Sequence, residues 1–126
     1  MQDVDATRAT LRDAFEKMAT NKHREVSFES AYRSAYMLCL HRRHGELIEI
    51  TKNGLIAAAN YCLTYGAADP ILLDRSRYDE VCAMFRDLLL FYNSHTPPQC
   101  PSFDAMTELA WRNAVVELPR RVFRNR

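Results

Sequence analysis

The stretch REVSFESAYRSAYMLCLHRRHGE, residues 24–46, predicts one helix with more apolar surface than packing against a core requires. At about 100° per residue, one arc of this helix carries small and aliphatic side chains: Ala31, Ala35, Leu38 and Cys39. A second arc carries aromatic rings at positions i, i+4 and i+8: Phe28, Tyr32 and Tyr36. Together the arcs cover nearly half of the helix circumference, whereas a core-facing stripe needs only about 100°.

The aromatic arc has two interpretations. Two of its three rings carry a hydroxyl, and tyrosines are enriched at interfaces because they bury a ring and still form hydrogen bonds at the rim. The first interpretation is therefore a surface that contacts a partner protein. The alternative is that all three rings fill one large core.

Size and composition predict one intracellular domain. A chain of 126 residues is long enough to bury a core without disulfides or metal. Its net charge of +1 creates no overall electric field that would attract nucleic acid or a membrane surface. No apolar run has the length of a membrane span, and the N-terminal segment MQDVDATRATLRD lacks a signal-peptide core. The four cysteines form no CxxC motif and are interpreted as buried hydrophobes in a reducing compartment: Cys39, Cys62, Cys82 and Cys100. A disulfide-bonded secreted domain is the alternative.

Helical periodicity predicts five helices and no strand, an all-α bundle. The predicted helices cover residues 5–21, 27–43, 46–65, 74–92 and 103–118. Ser27 and Ser102 are expected N-caps, and Asp3 or Asp5 is expected to cap the first helix. Gly45, Gly66 and Pro119 are expected to end helices, with Pro70 preventing an early restart. Gly54 is expected to be an interior weak point, costing about 1 kcal/mol relative to alanine. The predicted domain is 1–119, followed by a basic tail, 120–126.

The predicted core consists of the apolar positions at helical spacing. They are Leu11, Ala14, Phe15 and Met18 in the first helix, Leu47, Ile50, Leu55, Ala58, Ala59 and Cys62 in the third, Val81, Met84, Phe85, Leu88, Leu89 and Tyr92 in the fourth, and Phe103, Met106, Leu109, Ala110, Ala114 and Val115 in the fifth.

No set of residues predicts catalysis. His41 and His44 have a spacing that could place two metal ligands on one face, but the adjacent arginines would repel a divalent ion. Cys100 and His95 share a proline-rich loop and are interpreted as coincidental neighbours. With three glycines the chain has no glycine-rich phosphate loop. We therefore expect no enzyme, no metal, no cofactor and no small-molecule substrate.

Two further hypotheses concern other partners. The tail arginines, Arg120, Arg121, Arg124 and Arg126, could contact phosphates, which would make the chain a helical nucleic-acid-associated protein. No aromatic platform for stacking bases accompanies them, so this is the less favoured prediction. Alternatively, the aromatic arc of the second helix could be covered by another copy of the chain in a homo-oligomer.

Three segments of the chain resemble the N-terminal domain of cullins, the scaffolds of multi-subunit ubiquitin ligases. The first match contains Ser27-Phe28-Glu29, Tyr32-Arg33, Ala35-Tyr36, Leu40-His41 and His44-Gly45-Glu46. The second contains Phe85-Arg86-Asp87-Leu88-Leu89 with Phe91-Tyr92, and the weaker third contains Trp111-Arg112-Asn113. The resemblance is to the cullin branch that binds BTB-domain substrate adaptors.

The resemblance implies a single cullin repeat, a five-helix bundle whose second and fifth helices pack against the adaptor. The implied partner-binding residues are Val26, Ser27, Phe28, Glu29, Tyr32 and Tyr36, with Phe103 replacing a tyrosine that the branch carries early in its fifth helix. The core side of the second helix would be Ala31, Ala35 and Leu38. Since no RING-recruiting domain is present in this sequence, we expect a scaffold fragment or a competitor of cullin assembly, located in the cytoplasm, the nucleus or both.

Overall fold

The fold is all-α, as the periodicity predicts. The computed structural model describes residues 4–65 and 75–124, and over these ranges it contains six α-helices, one short 3₁₀ helix and no strand. The α-helices are α1 (Val4–Ala19), α2 (Phe28–Leu40), α3 (His44–Tyr65), α4 (Ser76–Leu88), α5 (Leu90–Ser94) and α6 (Phe103–Arg124). The 3₁₀ helix, His23–Glu25, connects α1 to α2.

Helix α3 is central to the bundle. It packs most extensively against α1 and α6 and also contacts α2 and α4, while α2 lies against α1, α4 and α5. Nearly all of the predicted core positions are buried, including the whole predicted stripes of α1 and α3. Leu109 is the clear error, because its side chain is 50% exposed. Thr107 is buried in that part of α6 instead. Its burial is tolerated because the Thr107 hydroxyl donates a hydrogen bond to the Asp104 carbonyl.

Gly54 permits the closest packing in the core. A Cβ atom at this position would lie 3.0 Å from Phe15 Cβ on α1 and 3.0 Å from Phe85 Cε2 on α4. The two phenylalanine rings stack on each other with their centroids 4.2 Å apart. The glycine therefore lets α1 and α4 meet over α3, so interpreting Gly54 only as a weak point of the helix was wrong. Replacing Gly54 by alanine would improve helix propensity but worsen packing, so the two effects on stability have opposite signs.

Helix α2 begins as predicted but ends earlier. Ser27 is its N-cap, and the Ser27 hydroxyl accepts a hydrogen bond from the Ser30 amide. The helix ends at Leu40 because Arg42 adopts a left-handed conformation, with φ of 58°. The Arg43 amide then donates to the Leu38 carbonyl at 2.7 Å, which is the signature of a Schellman motif. The expectation that Gly45 ends this helix was wrong, because Gly45 lies in the first turn of α3.

The predicted fourth helix is divided at Leu89. The Leu89 amide donates to the carbonyls of both Phe85 and Arg86, and the side-chain amide of Asn93 donates to the Arg86 carbonyl at 3.3 Å. This side-chain bond occupies an acceptor that a continuous helix would use for its own backbone. After the break, Tyr92 is buried and its hydroxyl donates to the Pro101 carbonyl at 2.6 Å. Five predicted helices thus become six.

The remaining helix ends contain one further error. Helix α6 continues past Pro119 to Arg124, so the helix end predicted near residue 118 was wrong and the predicted boundary at 119/120 falls inside α6. A proline removes one backbone donor and crowds the preceding turn, which destabilises a long helix without necessarily ending it. Asp5 lies in the first turn of α1, and Ser102 caps α6 by accepting from the Ala105 amide. Asp3, Gly66 and Pro70 lie outside the described residues.

We predict that Gly54→Ala destabilises the protein, although alanine is the better helix former. The added methyl group would lie against a Phe15 atom next to the backbone, so relieving the contact requires α1 to move; the expected loss is about 1–3 kcal/mol of unfolding free energy. Gly45→Ala is the matched control, because nothing lies within 4 Å of a Cβ at that position. Urea unfolding measures both variants, and a Gly54→Ala protein as stable as the parent would contradict the packing explanation.

All four cysteines are free thiols, and three of them are buried: Cys39, Cys62 and Cys82. Burial raises the pKa of Cys39 to about 11 and the pKa of Cys82 to about 11, and it also raises the pKa of Cys62. Cys100 is partly exposed. The interpretation of these cysteines as buried hydrophobes is thus confirmed for three of the four.

Thiol labelling should separate the two classes. At pH 8, where the thiolate is the reactive form, we expect a maleimide to modify Cys100 first and the three buried cysteines only when the protein unfolds. Mass spectrometry after a time course, with and without denaturant, counts the added groups and identifies their positions. Rapid labelling of Cys39 in the native protein would contradict its burial.

Candidate protein-docking surface

The start of α2 is fixed by local interactions. The Val26 amide donates to the His23 carbonyl at 3.1 Å, which closes the 3₁₀ helix, and the Val26 side chain packs against the core. Ser27 then provides the N-cap with φ of −81° and ψ of 107°. As a result Phe28 is the first residue of α2. The cap holds the backbone in a defined orientation at this exposed end of the helix.

The two arcs of α2 differ in burial. The small and aliphatic arc is inside, with Ala31, Ala35 and Leu38 exposed by only 1%, 3% and 2%. Phe28 is 51% exposed, and its ring lies parallel to that of Tyr32, with 6.2 Å between centroids and 18° between planes. Tyr32 is partly buried and packs against the edge of the core. The alternative in which all three rings fill the core is therefore excluded for Phe28.

Tyr36 continues the aromatic arc onto α5. Its ring meets the edge of Phe91 with 4.9 Å between centroids and 79° between planes. Phe91 in turn stacks on His95, with 4.3 Å between centroids. Both Tyr36 and Phe91 are partly exposed, so this contact is a surface cluster. We call the row formed by Phe28, Tyr32, Tyr36 and Phe91 the aromatic ridge.

Glu29 lies beside the aromatic ridge and is largely exposed, with 82% of its side chain accessible. Its carboxylate accepts a hydrogen bond from Arg33 one turn later at 2.7 Å. An exposed pair of this kind contributes little to stability. Glu29 is thus free to exchange this intramolecular partner for one across an interface.

Phe103 does not belong to this surface. Its side chain is 3% exposed, and the guanidinium of Arg86 covers the ring at 5.4 Å from its centroid. Arg86 is also paired with Asp104 at 3.0 Å. The expectation that Phe103 faces a partner is wrong, because the first residue of α6 lies on the same helical stripe as the buried Met106 and Ala110.

Two exposed leucines and Phe91 were missed by the sequence reasoning. Leu40, 53% exposed, follows Tyr36 by four residues and so continues the α2 arc, a signal that was available. Leu90 is 58% exposed at the start of α5. The approach of α5 to α2 depends on the helix break at Leu89, which periodicity does not indicate.

Metal-ligating side chains are not clustered in the part of the chain whose side chains the structure describes. Within residues 4–65 and 75–118, no group of three or more His, Cys, Asp or Glu side chains is placed to hold a metal ion. His41 is the exposed C-cap of α2, whereas the His44 ring lies 6.3 Å from that of Tyr92. The side chains of the tail arginines lie outside the described residues.

Comparison with known proteins identifies no relative of this chain. No family model matches the chain, and neither curated proteins nor solved structures give a significant match. Among the described helices, none combines the length and the apolar character needed to cross a bilayer.

The role of Ser27 can be separated from partner contact. We predict that Ser27→Ala lowers the unfolding free energy by about 1 kcal/mol, because α2 loses its N-cap. Ser27→Asp should retain the stability of the parent, since aspartate is an equally good cap. Thermal unfolding followed by circular dichroism measures both changes, and equal stability of the parent and the alanine variant would contradict the capping role.

Proposed function

We propose that this chain is a non-catalytic docking module of the cullin type, which binds a BTB-fold substrate adaptor of ubiquitin ligases through the aromatic ridge. The observation that carries the proposal is the division of α2 into a buried aliphatic arc and an aromatic arc in which Phe28 is exposed and both tyrosines are partly exposed. The same positions carry the sequence resemblance to cullins.

Phe28 is suited to anchor the adaptor. The residue is about half exposed, it is the first residue of a capped helix, and its ring lies parallel to that of Tyr32. A preorganised aromatic side chain loses little conformational entropy when it binds. Truncating an anchor of this kind commonly costs about 2 kcal/mol or more of binding free energy.

The two tyrosines supply a different contribution. Tyr32 and Tyr36 are already partly buried, and each carries a hydroxyl that could bond to the partner. Such groups add directional hydrogen bonds around a hydrophobic contact. With Val26 and Ser27 at one end and Glu29 alongside, the surface combines an apolar centre with a polar rim, as in other protein interfaces.

An intracellular location in the cytoplasm, the nucleus or both belongs to the same proposal. The free cysteines fit a reducing compartment. BTB-fold adaptors as partners would require the same location.

The test is titration of the parent protein with a panel of purified BTB domains by isothermal calorimetry. We expect at least one domain to bind, and we expect the double variant Phe28→Ala plus Tyr32→Ala to weaken that complex by about thirtyfold or more, which corresponds to about 2 kcal/mol. The tyrosine variant Tyr36→Ala should have a smaller effect, because part of its ring is occupied by Phe91.

The control for this experiment is Val116→Ala, which removes an apolar side chain that is 60% exposed on α6. It should bind as the parent does. Unchanged binding in a folded Phe28→Ala plus Tyr32→Ala protein would overturn the assigned surface, and no binding by the parent to any BTB domain would overturn the function. Light scattering of the parent shows whether the chain forms a homo-oligomer instead.

A further inference from the structure

We propose that the surface of this chain resists ubiquitination because arginine replaces lysine over most of it, and that Lys22 is the main acceptor that remains. Of the 17 lysine and arginine residues, 14 are arginines and three are lysines: Lys17, Lys22 and Lys52. Lysine is ordinarily among the commonest residues of soluble proteins. The use of this property rests on the docking function proposed above, since a protein that binds adaptors of ubiquitin ligases is exposed to activated ubiquitin.

Ubiquitin transfer is a reaction of amines. The neutral Nζ of a lysine attacks the carbonyl carbon of the thioester that joins the C-terminus of ubiquitin to a cysteine of the conjugating enzyme. An amide bond forms, the carbon–sulfur bond breaks, and the proton lost by the nitrogen passes through solvent to the departing thiolate. Arginine cannot take the place of the amine because its guanidinium stays protonated. It therefore keeps the positive charge of lysine and removes the acceptor.

Some arginines are explained by their contacts alone. The guanidinium of Arg75 bonds to Asp79 and Glu108, which requires several donors at fixed angles. The same group lies over the ring of Trp111, 5.8 Å from its centroid. A lysine ammonium does not provide this planar set of donors. Arginine at position 75 thus has a structural reason that is independent of ubiquitin.

Other arginines have no such reason. Arg12, Arg24 and Arg42 are exposed, and over the described ranges of the chain their side chains make no hydrogen bond or ion pair. Lysine would supply the same charge, and its helix propensity is nearly equal to that of arginine. Neither the fold nor the charge requires a guanidinium at these three positions, and the property that the exchange does change is the number of reactive amines.

The three lysines differ in access. The Nζ of Lys17 lies 3.1 Å from a carboxylate oxygen of Asp13, and 33% of the Lys17 side chain is exposed. Lys52 is exposed in the middle of α3. Lys22 is exposed in the connection between α1 and the 3₁₀ helix, directly after Asn21, whose φ is 64°. Modifying enzymes reach connecting segments more easily than the middle of a helix, so Lys22 is the assigned acceptor.

The experiment measures ubiquitin conjugates of the full chain in a eukaryotic cell lysate supplied with ATP, tagged ubiquitin and a proteasome inhibitor. Arg12→Lys plus Arg42→Lys adds two exposed amines without changing the charge. Arg12→Gln plus Arg42→Gln changes the same positions without adding an amine, and it is the matched control. Lys22→Arg removes the assigned acceptor. Circular dichroism establishes that each variant is folded, and quantitative mass spectrometry counts and locates the conjugates.

We expect the double-lysine variant to accumulate about threefold more conjugate than the parent, with the additional ubiquitin at positions 12 and 42, because one accessible amine becomes three. The glutamine variant should match the parent. In the parent, Lys22 should carry most of the conjugate, so that Lys22→Arg lowers the total by about half or more.

Equal conjugation of the double-lysine variant and the parent would overturn the protective role of the arginines, and so would the absence of conjugates on every variant. A rise in the glutamine variant as large as that in the double-lysine variant would also overturn it, since the added amines would then not be the cause. Parental conjugation of Lys22→Arg would overturn the assigned acceptor. Failure of every BTB domain to bind the parent would remove the proposed function without altering the conjugate counts, so the two failures are distinguishable.

Discussion

The close approach of α1, α3 and α4 at Gly54 is the constraint on which the rest of the bundle depends. Without a Cβ at this position, Phe15 and Phe85 stack directly over the α3 backbone, with 4.2 Å between their centroids. Interiors are close-packed, so a separation imposed here would be transmitted to every helix that touches these three. Because α2 packs on α1, α3 and α4, the position of the candidate docking surface follows from this crossing.

Polar contacts then join α1 and the α2–α3 connection to the start of α3. The carboxylate of Glu46, near the start of α3, accepts hydrogen bonds from Arg8 on α1 at 2.9 Å and from Arg43 in the α2–α3 connection at 3.3 Å. At the other end of α2, the Ser27 cap orients the first turn. A helix with an N-cap at one end and a Schellman motif at the other presents its exposed residues in a defined geometry. Preorganisation of this kind favours binding by lowering the entropy lost on association.

The candidate surface combines short-range and long-range determinants. Phe28, Tyr32 and Tyr36 occupy consecutive turns of one helix, and their relation is fixed by its period alone. Phe91 joins them only because Asn93 and Leu89 end α4 and allow a new helix to begin. After the break, Tyr92 is buried, as the periodicity of the fourth helix predicts, and Phe91 lies against Tyr36. The change of direction between α4 and α5 thus adds Phe91 to the aromatic ridge formed by α2.

The sequence by itself determined the all-α class, the core stripes, the caps at Ser27 and Ser102, and the division of α2 into an aliphatic and an aromatic arc. These features depend on the helical period and on hydrogen bonds between residues close in the chain. Only the tertiary structure decided that Leu109 is exposed, that Gly54 is a packing site and that Phe91 meets Tyr36. Each of these depends on which helices are neighbours, and a periodic pattern defines the faces of a helix without defining what lies against each face.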